Sequence, residues 1–311
     1  MDQTVQRLGY VVMAVPDVKE SADFYSRIGQ MTLHDSSRDT AFLGGGYEHH
    51  WLRLEQHTRR RGLVRVGFEL AHTAELDVVA DRLDAHGIPH HEIGDLKGDA
   101  IDRGLRFVDP DGVEVDVYTD MLSRGVKTPQ SWVRMNAMLH AVWFSPDPVA
   151  AHDFYAQVLG FRASDWINRN AVFMRSRNNY HHSLGIFRSS QDRAATLDHF
   201  CILVESIDDV MRARNIALRN GAKLNKDVLR HAASGSISVY IADPVANMSF
   251  EYCVEHDIVD ADHRPRILES TPISRDVWLA GTSKEEIAAV TAAVSGEEHN
   301  GALSAIANSI A

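Results

Sequence analysis

Apolar and polar residues follow one another along the chain with two different periods, one typical of strands and the other of amphipathic helices. Residues 10–29 (YVVMAVPDVKESADFYSRIG) begin with a continuous apolar run, pass a Pro-Asp turn and continue with helical spacing to Gly29. Residues 107–118 (FVDPDGVEVDVY) instead lead from an Asp-Pro turn into an alternating segment. The pattern predicts strands interrupted by single helices, which is an α+β arrangement.

The chain repeats this pattern at an offset of 130 to 134 residues. The matching stretches are 10–29 with 140–160, 67–87 with 199–221, and 107–118 with 240–253. Within each half, the order of strand, helix and several strands occurs twice. The sequence therefore predicts two tandem domains, each of two βαβββ modules.

The predicted domains are an N-terminal domain over residues 1–125, a second domain over 126–275 and a C-terminal helical tail over 276–311. Polar, poorly periodic residues at 119–138 serve as the linker. Residues 255–280 contain two prolines and predict an extended surface segment. An Ala-rich helix with a capping box is expected from Ser283 to about Val294 and could pack on the body or on another subunit.

Composition narrows the class of protein. The chain has 311 residues, of which 44% are hydrophobic and 24% charged, so a disordered chain is excluded. A net charge of −11 disfavours nucleic acid and anionic membranes as partners. No apolar run is long enough to span a membrane, and the first residues lack the features of a signal peptide. With only Cys201 and Cys253, a reducing cytoplasm is the expected compartment.

Equivalent positions of the two halves share a structural role, so a chemical difference between them points to function. Three such differences place a metal-binding residue in the second half alone. The pairs are Tyr10 with His140, Gly67 with His199, and Val115 or Asp116 with Glu251.

Two imidazoles and a carboxylate on neighbouring strands form the facial triad that leaves coordination positions open on Fe(II). The same set suits Mn(II) and, less well, Zn(II). The separations of 59 and 52 residues between His140, His199 and Glu251 carry no specificity of their own.

The second half contains LHAVWFSPDPVAAHDFYAQVLGF, RNNYHHSLGIF, LDHFCILVESIDDV and RHAASGSISVYIADPVANMSFEY. Together these stretches resemble the type I extradiol ring-cleavage dioxygenases of the vicinal oxygen chelate superfamily. The likeness covers roughly residues 5–275 and is most specific in the second half. It implies that each domain is an incomplete barrel and that the N-terminal domain lacks the metal.

The resemblance assigns a role to each candidate site residue. It makes His140, His199 and Glu251 the metal ligands and His182 the acid–base histidine. Tyr240 would hydrogen-bond a substrate oxygen, and His231 would be a further histidine of the pocket. Only one of the neighbours His181 and His182 can face the metal, because side chains alternate along a strand. Eleven residues separate Tyr240 from Glu251, one more than in the family pattern, and a β-bulge would absorb the extra residue.

Other histidine pairs and aromatic residues have plainer interpretations. His49-His50 and His90-His91 are expected to be exposed strand residues. Trp143, Phe173 and Phe187 could line a pocket for an aromatic ring, but core positions are favoured for each of them.

The resemblance further implies Fe(II), with Mn(II) as a possible substitute, and a catechol-type diol and O2 as substrates. The reaction would be extradiol ring cleavage in aromatic catabolism, and the protein would be a homo-oligomer. Two alternatives remain open. One is a redox-silent, metal-dependent enzyme of the glyoxalase or epimerase type, and the other is a non-catalytic small-molecule binder of the bleomycin-resistance type.

Overall fold

The computed structural model describes residues 2–128, 131–189, 196–246, 248–279, 283–285 and 288. The first half consists of two βαβββ modules whose strands form one mixed sheet in the order β2-β3-β4-β1-β5-β8-β7-β6. The first module comprises β1 (Val5–Val15), α1 (Val18–Arg27), β2 (Thr32–Ser36), β3 (Thr40–Gly44) and β4 (Leu52–Gln56). The second module comprises β5 (Gly62–Leu70), α2 (Glu75–Ala85), β6 (His90–Asp95), β7 (Ile101–Val108) and β8 (Glu114–Met121).

The second half repeats this arrangement and adds a ninth strand, in the order β14-β15-β16-β13-β9-β12-β11-β10-β17. Its first module comprises β9 (Met135–Ser145), α3 (Pro148–Val158), β10 (Arg162–Ile167), β11 (Ala171–Arg175) and β12 (Leu184–Arg188). Its second module comprises β13 (Thr196–Val204), α4 (Ile207–Arg219), β14 (Leu224–Arg230), β15 (Ile237–Ala242) and β16 (Ser249–Val254). The short strand β17 (Arg266–Leu268) and the helical turn α5 (Pro272–Arg275) follow.

Neither sheet closes on itself. The prediction of an α+β fold with two tandem units, each of two βαβββ modules forming an incomplete barrel, is therefore confirmed.

The Pro-Asp turns begin the first helix of each half in the same way. The side chain of Asp17 accepts a hydrogen bond from the backbone N–H of Glu20, and Asp147 accepts from Val149 and Ala150. These contacts satisfy backbone donors that have no partner within the helix. The repeated turn thus fixes where α1 and α3 start.

A pair of equivalent hydrogen bonds joins the two halves. The hydroxyl of Tyr25 on α1 donates to Asp243 of the second half at 2.5 Å, and that of Tyr155 on α3 donates to Asp109 of the first half at 2.7 Å. Both tyrosines are fully buried in one apolar core that contains residues of both sheets. The first helix of each half therefore packs against the other half.

The segment after β16 is extended and exposed only in part, because α5 interrupts it and His256 and Asp276 are buried. Strand β17 pairs in parallel with β10 at the edge of the second sheet, and Ile267 is 63% exposed. Most of the predicted helix from Ser283 to about Val294 lies outside the described residues. In the part of the chain that the structure describes, no helix is both long and apolar enough to cross a membrane.

Candidate metal centre

Three side chains bring their donor atoms together on neighbouring strands of the second sheet. His140 lies on β9, His199 on β13 and Glu251 on β16, and β13 pairs with both of the other strands. Nε2 of His140 lies 3.3 Å from Nε2 of His199 and 3.0 Å from Oε2 of Glu251, and Nε2 of His199 lies 3.2 Å from that oxygen. All three side chains are buried. The residues selected from the sequence thus form one cluster.

A β-bulge orients His199. The pairing of β13 with β9 shifts register between Leu197 and His199, so that Asp198 is the extra residue. Because a bulge interrupts the alternation of side chains, Oδ2 of Asp198 can lie 2.6 Å from Nδ1 of His199. The Nδ1–H group donates to this carboxylate and leaves Nε2 directed at Glu251. A carboxylate that holds the outer nitrogen in this way is the usual support of a metal-binding histidine.

The donor set fits a divalent metal ion. Adjacent ligands of an octahedral ion with bonds of about 2.1 Å lie about 3 Å apart, and the three separations here are 3.0, 3.2 and 3.3 Å. In addition, Nε2 of His199 faces a carboxylate oxygen, so a positive charge, either a proton on the ring or a bound cation, is favoured between them. The chemistry of the cluster therefore matches a site for a cation.

The charges of the cluster lead to the same conclusion. Burial opposes ionisation of Glu251, but hydrogen bonds with His140 and His199 hold the pKa of Glu251 well below its usual range. Burial also opposes a charge on His199, yet its bonds to Asp198 and Glu251 raise its pKa to about 9. For His140 burial prevails and lowers the pKa. The centre keeps its carboxylate charge and attracts a positive charge.

His181 and His182 lie just before β12, and their rings point in different directions. His182 lines the cavity described below, and its ring lies beside that of His140 at a tilt of 37°, with ring centroids 4.1 Å apart. His181 points away from the cavity, and its Nε2 lies 2.9 Å from Oδ2 of Asp165. Burial, reinforced by the neighbouring His140, holds the pKa of His182 well below its usual range. The expectation that only one of the two histidines faces the metal site agrees with this arrangement.

Tyr240 and His231 form a hydrogen-bonded pair beside the ligands. Nδ1 of His231 lies 3.1 Å from the carbonyl oxygen of Arg275, and Nε2 lies 2.7 Å from the Tyr240 hydroxyl. The Nδ1–H therefore donates to the carbonyl, and Nε2 accepts from the hydroxyl. Burial lowers the pKa of His231 to about 4, and burial together with the charge of Glu251 raises the pKa of Tyr240 well above its usual value. The pair is neutral, with a fixed direction of hydrogen bonding.

The expected bulge between Tyr240 and Glu251 is absent. The two residues lie opposite each other in β15 and β16. The pairing of these strands, from Ile237 with Val254 to Ala242 with Ser249, has no register shift. The expectation was wrong, because the two strands pair without an extra residue in either of them.

A cavity of about 720 Å³ lies beside the cluster and is lined by all six predicted site residues. Apolar side chains make up a further part of its wall, namely Phe144, Ile167, Ala171, Phe173, Phe187 and Leu229. Charged residues also border it, among them Arg188, Lys226 and Arg275. The core interpretation holds for Trp143, which is fully buried against Tyr155, but it was wrong for Phe173 and Phe187.

Strand register identifies the counterparts of these residues in the first half. The pairing of β1 with β5 contains the same bulge as the pairing of β9 with β13. The extra residue of this bulge is Val64 in the first half and Asp198 in the second, so these two residues are equivalent. The counterpart of His199 is therefore Arg65 and not Gly67. The sequence alignment was wrong by two residues because the connection from strand to helix is two residues shorter in the second half.

Asp116 is the counterpart of Glu251, and protein groups surround its buried carboxylate. The hydroxyl of Tyr10 donates to it at 2.5 Å, and the guanidinium of Arg106 donates at 2.7 and 2.8 Å. Nε of Arg65 lies 3.7 Å away. The ring of Tyr10 lies over Gly67, where a Cβ atom would come within 2.1 Å of it. The first half thus replaces the two histidines with a tyrosine and an arginine.

The expectation of exposed histidines was wrong for His50, which is 1% exposed. Leu52 pairs with β1 as Leu184 pairs with β9, so that HHWL (49–52) is the counterpart of HHSL (181–184). His50 packs against Phe42 with ring centroids 5.0 Å apart. His90 and His49 are half-buried and His91 is exposed. His50 is therefore the counterpart of His182.

A family model describes both halves. The model of the Glyoxalase/Bleomycin resistance protein/Dioxygenase superfamily matches residues 7–117 and 137–252. The chain belongs to this superfamily. Each match covers one pair of βαβββ modules, so the superfamily unit occurs twice in the chain.

Known members of the superfamily resemble the chain over most of its length. The manganese-dependent 2,3-dihydroxybiphenyl 1,2-dioxygenase of Geobacillus genomosp. 3 is 23% identical over 287 residues, covering 85% of this chain and 90% of the relative. The iron-dependent extradiol dioxygenase of Rhodococcus jostii (strain RHA1) is 28% identical over 229 residues, covering 67% and 75%. The resemblance to extradiol dioxygenases that the sequence suggested is confirmed.

A solved structure shows the same superfamily fold. The Mn(II)-bound glyoxalase from Novosphingobium aromaticivorans superposes with a TM-score of 0.81 at 23% identity, covering 89% of this chain and 91% of that structure. At this identity the likeness concerns the fold.

The sequence did not predict several residues that surround the candidate metal centre. Asp198 adjoins a ligand, but strand alternation argued against a contact until the bulge was known. Asp165 has a counterpart, Asp35, and a comparison that searched for differences between halves passed over it. His256 is buried beside His182, with ring centroids 4.7 Å apart, and its distance from any motif left no signal.

Proposed function

We propose that this protein cleaves the ring of a catechol-type aromatic diol next to its two hydroxyl groups, an extradiol reaction in which both atoms of O2 enter the product. The proposed metal is Fe(II), with Mn(II) as the alternative. The observation that carries the proposal is the convergence of His140, His199 and Glu251 beside a cavity that also contains His182 and the Tyr240–His231 pair.

The residues present would hold the metal with two neutral imidazoles and one carboxylate. A divalent ion bound there would supply a Lewis acid that lowers the pKa of a diol hydroxyl and brings the diol and O2 together. The carboxylate of Glu251 and the bond from Asp198 to His199 would keep these ligands oriented.

His182 is proposed to accept a proton from the diol at Nε2 and to return it later in the reaction. Its buried neutral ring supports this role, because a base that is unprotonated at neutral pH is ready to accept. Tyr240 would orient a substrate oxygen, and His231 would hold the tyrosine hydroxyl by accepting its hydrogen bond. Both residues line the cavity within reach of the ligands.

The size and wall of the cavity favour a diol with an apolar substituent. A single catechol ring fills only a small part of about 720 Å³, a volume in the range of pockets for drug-sized ligands. The rings of Phe173 and Phe187 lie 5.7 Å apart edge-to-face and offer an aromatic wall. We expect 2,3-dihydroxybiphenyl to have a kcat/KM at least about 10-fold above that of catechol, because burial of a second ring contributes binding energy.

The test is oxygen uptake by protein loaded anaerobically with Fe(II) or Mn(II). The diols would be catechol, 3-methylcatechol, 2,3-dihydroxybiphenyl and 2,3-dihydroxybenzoate, with His199→Ala as the control. Uptake with a yellow ring-fission product that the control fails to form is the expected result. Bound metal without uptake would favour the redox-silent glyoxalase-type alternative, and absence of stoichiometric metal would favour a small-molecule binder.

We also propose that residues 126–275 form the catalytic unit and residues 1–125 a non-catalytic one, within a cytoplasmic homo-oligomer. The support for the first part is the replacement of the histidine ligands by Tyr10 and Arg65 in the first half. Light scattering during size-exclusion chromatography measures the number of chains in the oligomer.

A further inference from the structure

A chain of hydrogen-bonded side chains runs from the edge of the second sheet to His182. Arg266 on β17 donates to both oxygens of Asp165, at 2.9 Å from Nε and 2.5 Å from a terminal nitrogen, and its backbone N–H donates at 3.1 Å. Oδ2 of Asp165 lies 2.9 Å from Nε2 of His181, and Nδ1 of His181 lies 3.1 Å from Nδ1 of His182. Asp165 and His181 are fully buried.

The donors and acceptors along this series of side chains can be assigned starting from Arg266. Arg266 can only donate, and Asp165 remains an ionised acceptor because its bonds from His181 and Arg266 outweigh burial and lower its pKa. When His181 carries one ring proton, that proton lies on Nε2 facing Asp165, and Nδ1 presents a lone pair. The Nδ1–H of His182 donates to that lone pair, and the lone pair of His182 lies on Nε2.

We infer that Asp165 and His181 are positioning residues, which fix His182 in the tautomer whose unprotonated Nε2 is available in the metal cavity. The role deepens the proposed function, on which it rests for its effect on the reaction. Arg266 serves it by occupying the remaining acceptor positions of Asp165. A histidine held in one tautomer by a buried carboxylate behaves differently from a freely flipping ring, because each tautomer is a base at a different nitrogen.

The first half provides an internal comparison. Its histidine pair has the same geometry, with Nδ1 of His49 3.1 Å from Nδ1 of His50. Asp35 occupies the position of Asp165 opposite the phenylalanine of the next strand. It is exposed, however, and Oδ1 accepts from the backbone N–H of Ser36. In the first sheet, as far as the structure describes it, no strand corresponds to β17. The complete arrangement occurs only beside the metal centre.

One test reads the tautomer directly and does not depend on turnover. Full-length protein labelled with 15N-histidine and loaded with diamagnetic Zn(II) would be studied by NMR, with His182 assigned from the signal lost in His182→Asn. We expect a protonated, pyrrole-like Nδ1 and an unprotonated, pyridine-like Nε2. A proton on Nε2 of His182 in the wild-type protein overturns the inference, whether or not any diol is cleaved.

The Asp165→Asn variant should reverse the tautomer with little change in shape. The amide oxygen is best placed at the Oδ1 position, where it accepts from both the backbone and Nε of Arg266, while the terminal nitrogen of Arg266 gives up its bond to residue 165 and keeps the carbonyl oxygen of Ala233 as acceptor. The amide N–H then faces Nε2 of His181, so both histidines must move their protons to the other nitrogen. In this variant we expect Nδ1 of His182 to become pyridine-like and Nε2 to become pyrrole-like in the 15N spectrum. The kcat with 2,3-dihydroxybiphenyl should fall about 100-fold or more, with KM within about 3-fold and metal content unchanged.

Substitutions of His181 separate positioning from packing. In His181→Gln the amide oxygen can still accept from Nδ1 of His182, so kcat should stay within about 5-fold of wild type, whereas His181→Leu should lose about 100-fold. Asp35→Asn changes the counterpart of Asp165 and should change neither the His182 signals nor kcat. Equal losses in the Gln and Leu variants, or wild-type kcat in His181→Leu, would contradict a positioning role.

Discussion

The two halves bury a carboxylate at the same position of their sheets and surround it with different groups. In the first half, Asp116 receives hydrogen bonds from the Tyr10 hydroxyl and the Arg106 guanidinium, so its charge is balanced inside the protein. In the second half, Glu251 faces Nε2 of His140 and Nε2 of His199, and Asp198 orients the ring of His199 through its Nδ1. The comparison teaches that one scaffold accommodates either a candidate cation site or an arginine at this place.

The same comparison shows what stands beside each carboxylate. Tyr10 fills the space over Gly67, whereas the smaller ring of His140 stands in the second half next to open volume. The cavity of about 720 Å³ adjoins the histidine cluster of the second half. A difference of a few side chains on equivalent strands thus separates a closed core from a candidate active site.

The largest expected effect comes from copying the first half into the second. In His199→Arg the guanidinium should pair with Glu251 as Arg65 stands near Asp116, and a cation site would be lost to an internal ion pair. We expect less than about 0.1 metal ion per chain and a fall of at least about 1,000-fold in oxygen uptake with 2,3-dihydroxybiphenyl. Elemental analysis and an oxygen electrode measure the two quantities.

The reciprocal substitution, Arg65→His, is the matched control and should leave metal content and uptake unchanged. Added Mn(II) should raise the Tm of wild type and of this control but not of His199→Arg, because only a folded state that binds the ion is stabilised by it. Normal metal content in His199→Arg would show that the three donors are not the ligands.

The second prediction concerns the paired histidines. His182→Asn should lower kcat by about 100- to 10,000-fold while the protein still binds one metal ion, since the proposed loss is that of a proton acceptor and not of a ligand. His50→Asn replaces the counterpart and should affect Tm but not kcat. Steady-state kinetics with metal analysis of each sample measure this difference. A similar fall in kcat for both variants would indicate that the substitutions act through packing.

The third prediction breaks the charge balance of the first half. Removal of Arg106 leaves the buried Asp116 with Tyr10 and the more distant Arg65, so Arg106→Leu should lower the free energy of unfolding by about 2–4 kcal/mol. Chemical denaturation measures it, and kcat per folded molecule should not change. Adding Asp116→Asn to Arg106→Leu should recover part of the loss, because the unpaired charge is gone. A loss below about 0.5 kcal/mol in the single variant would contradict an energetic role for the pair.

Most of the fold could be predicted because duplication and periodicity are local properties of the sequence. The turn, helix and Phe-Tyr pair around Tyr25 and Tyr155 reveal the repeat without knowledge of long-range contacts. What the sequence did not supply was the register of β5 and β13. One bulge and a connection shorter by two residues decide that Arg65, not Gly67, corresponds to His199.

The candidate site was predictable where the halves differ and less so where they agree. His140, His199 and Glu251 stand out because tyrosine, arginine and aspartate replace them. His182 and Asp165 have like residues, His50 and Asp35, at the same places, so their surroundings and not their identities distinguish them. Arg266 reaches Asp165 only through the pairing of β17 with β10, which local sequence patterns do not reveal.

The smallest expected effect concerns the paired hydrogen bonds between the halves. Burial, with a contribution from the charge of Asp111, raises the pKa of Asp109 to about 6, although Tyr155 donates to its carboxylate. The usual value of an aspartate is about 3.9. Between about pH 4 and pH 6 the folded protein therefore holds a proton that the unfolded chain has released, and the contribution of Asp109 to stability is lost as the pH rises through this window.

Asp109→Asn removes this titration. It keeps an oxygen at the Oδ1 position for the backbone N–H groups of Asp111 and Val113, and its amide N–H can donate to the Tyr155 hydroxyl. Relative to wild type, the variant should gain about 1–2 kcal/mol of unfolding free energy as the pH is raised from about 4 to about 6, because the charged carboxylate that burial disfavours is absent. Urea denaturation at four or five pH values measures the difference, in which the titrations of other groups cancel. Asp23→Asn, at an exposed site on α1, reports the effect of a charge change at the surface. A difference between Asp109→Asn and wild type that does not vary with pH would show that the two halves tolerate the ionised carboxylate at their interface, and that the link through Tyr155 resembles an ordinary charge-assisted hydrogen bond.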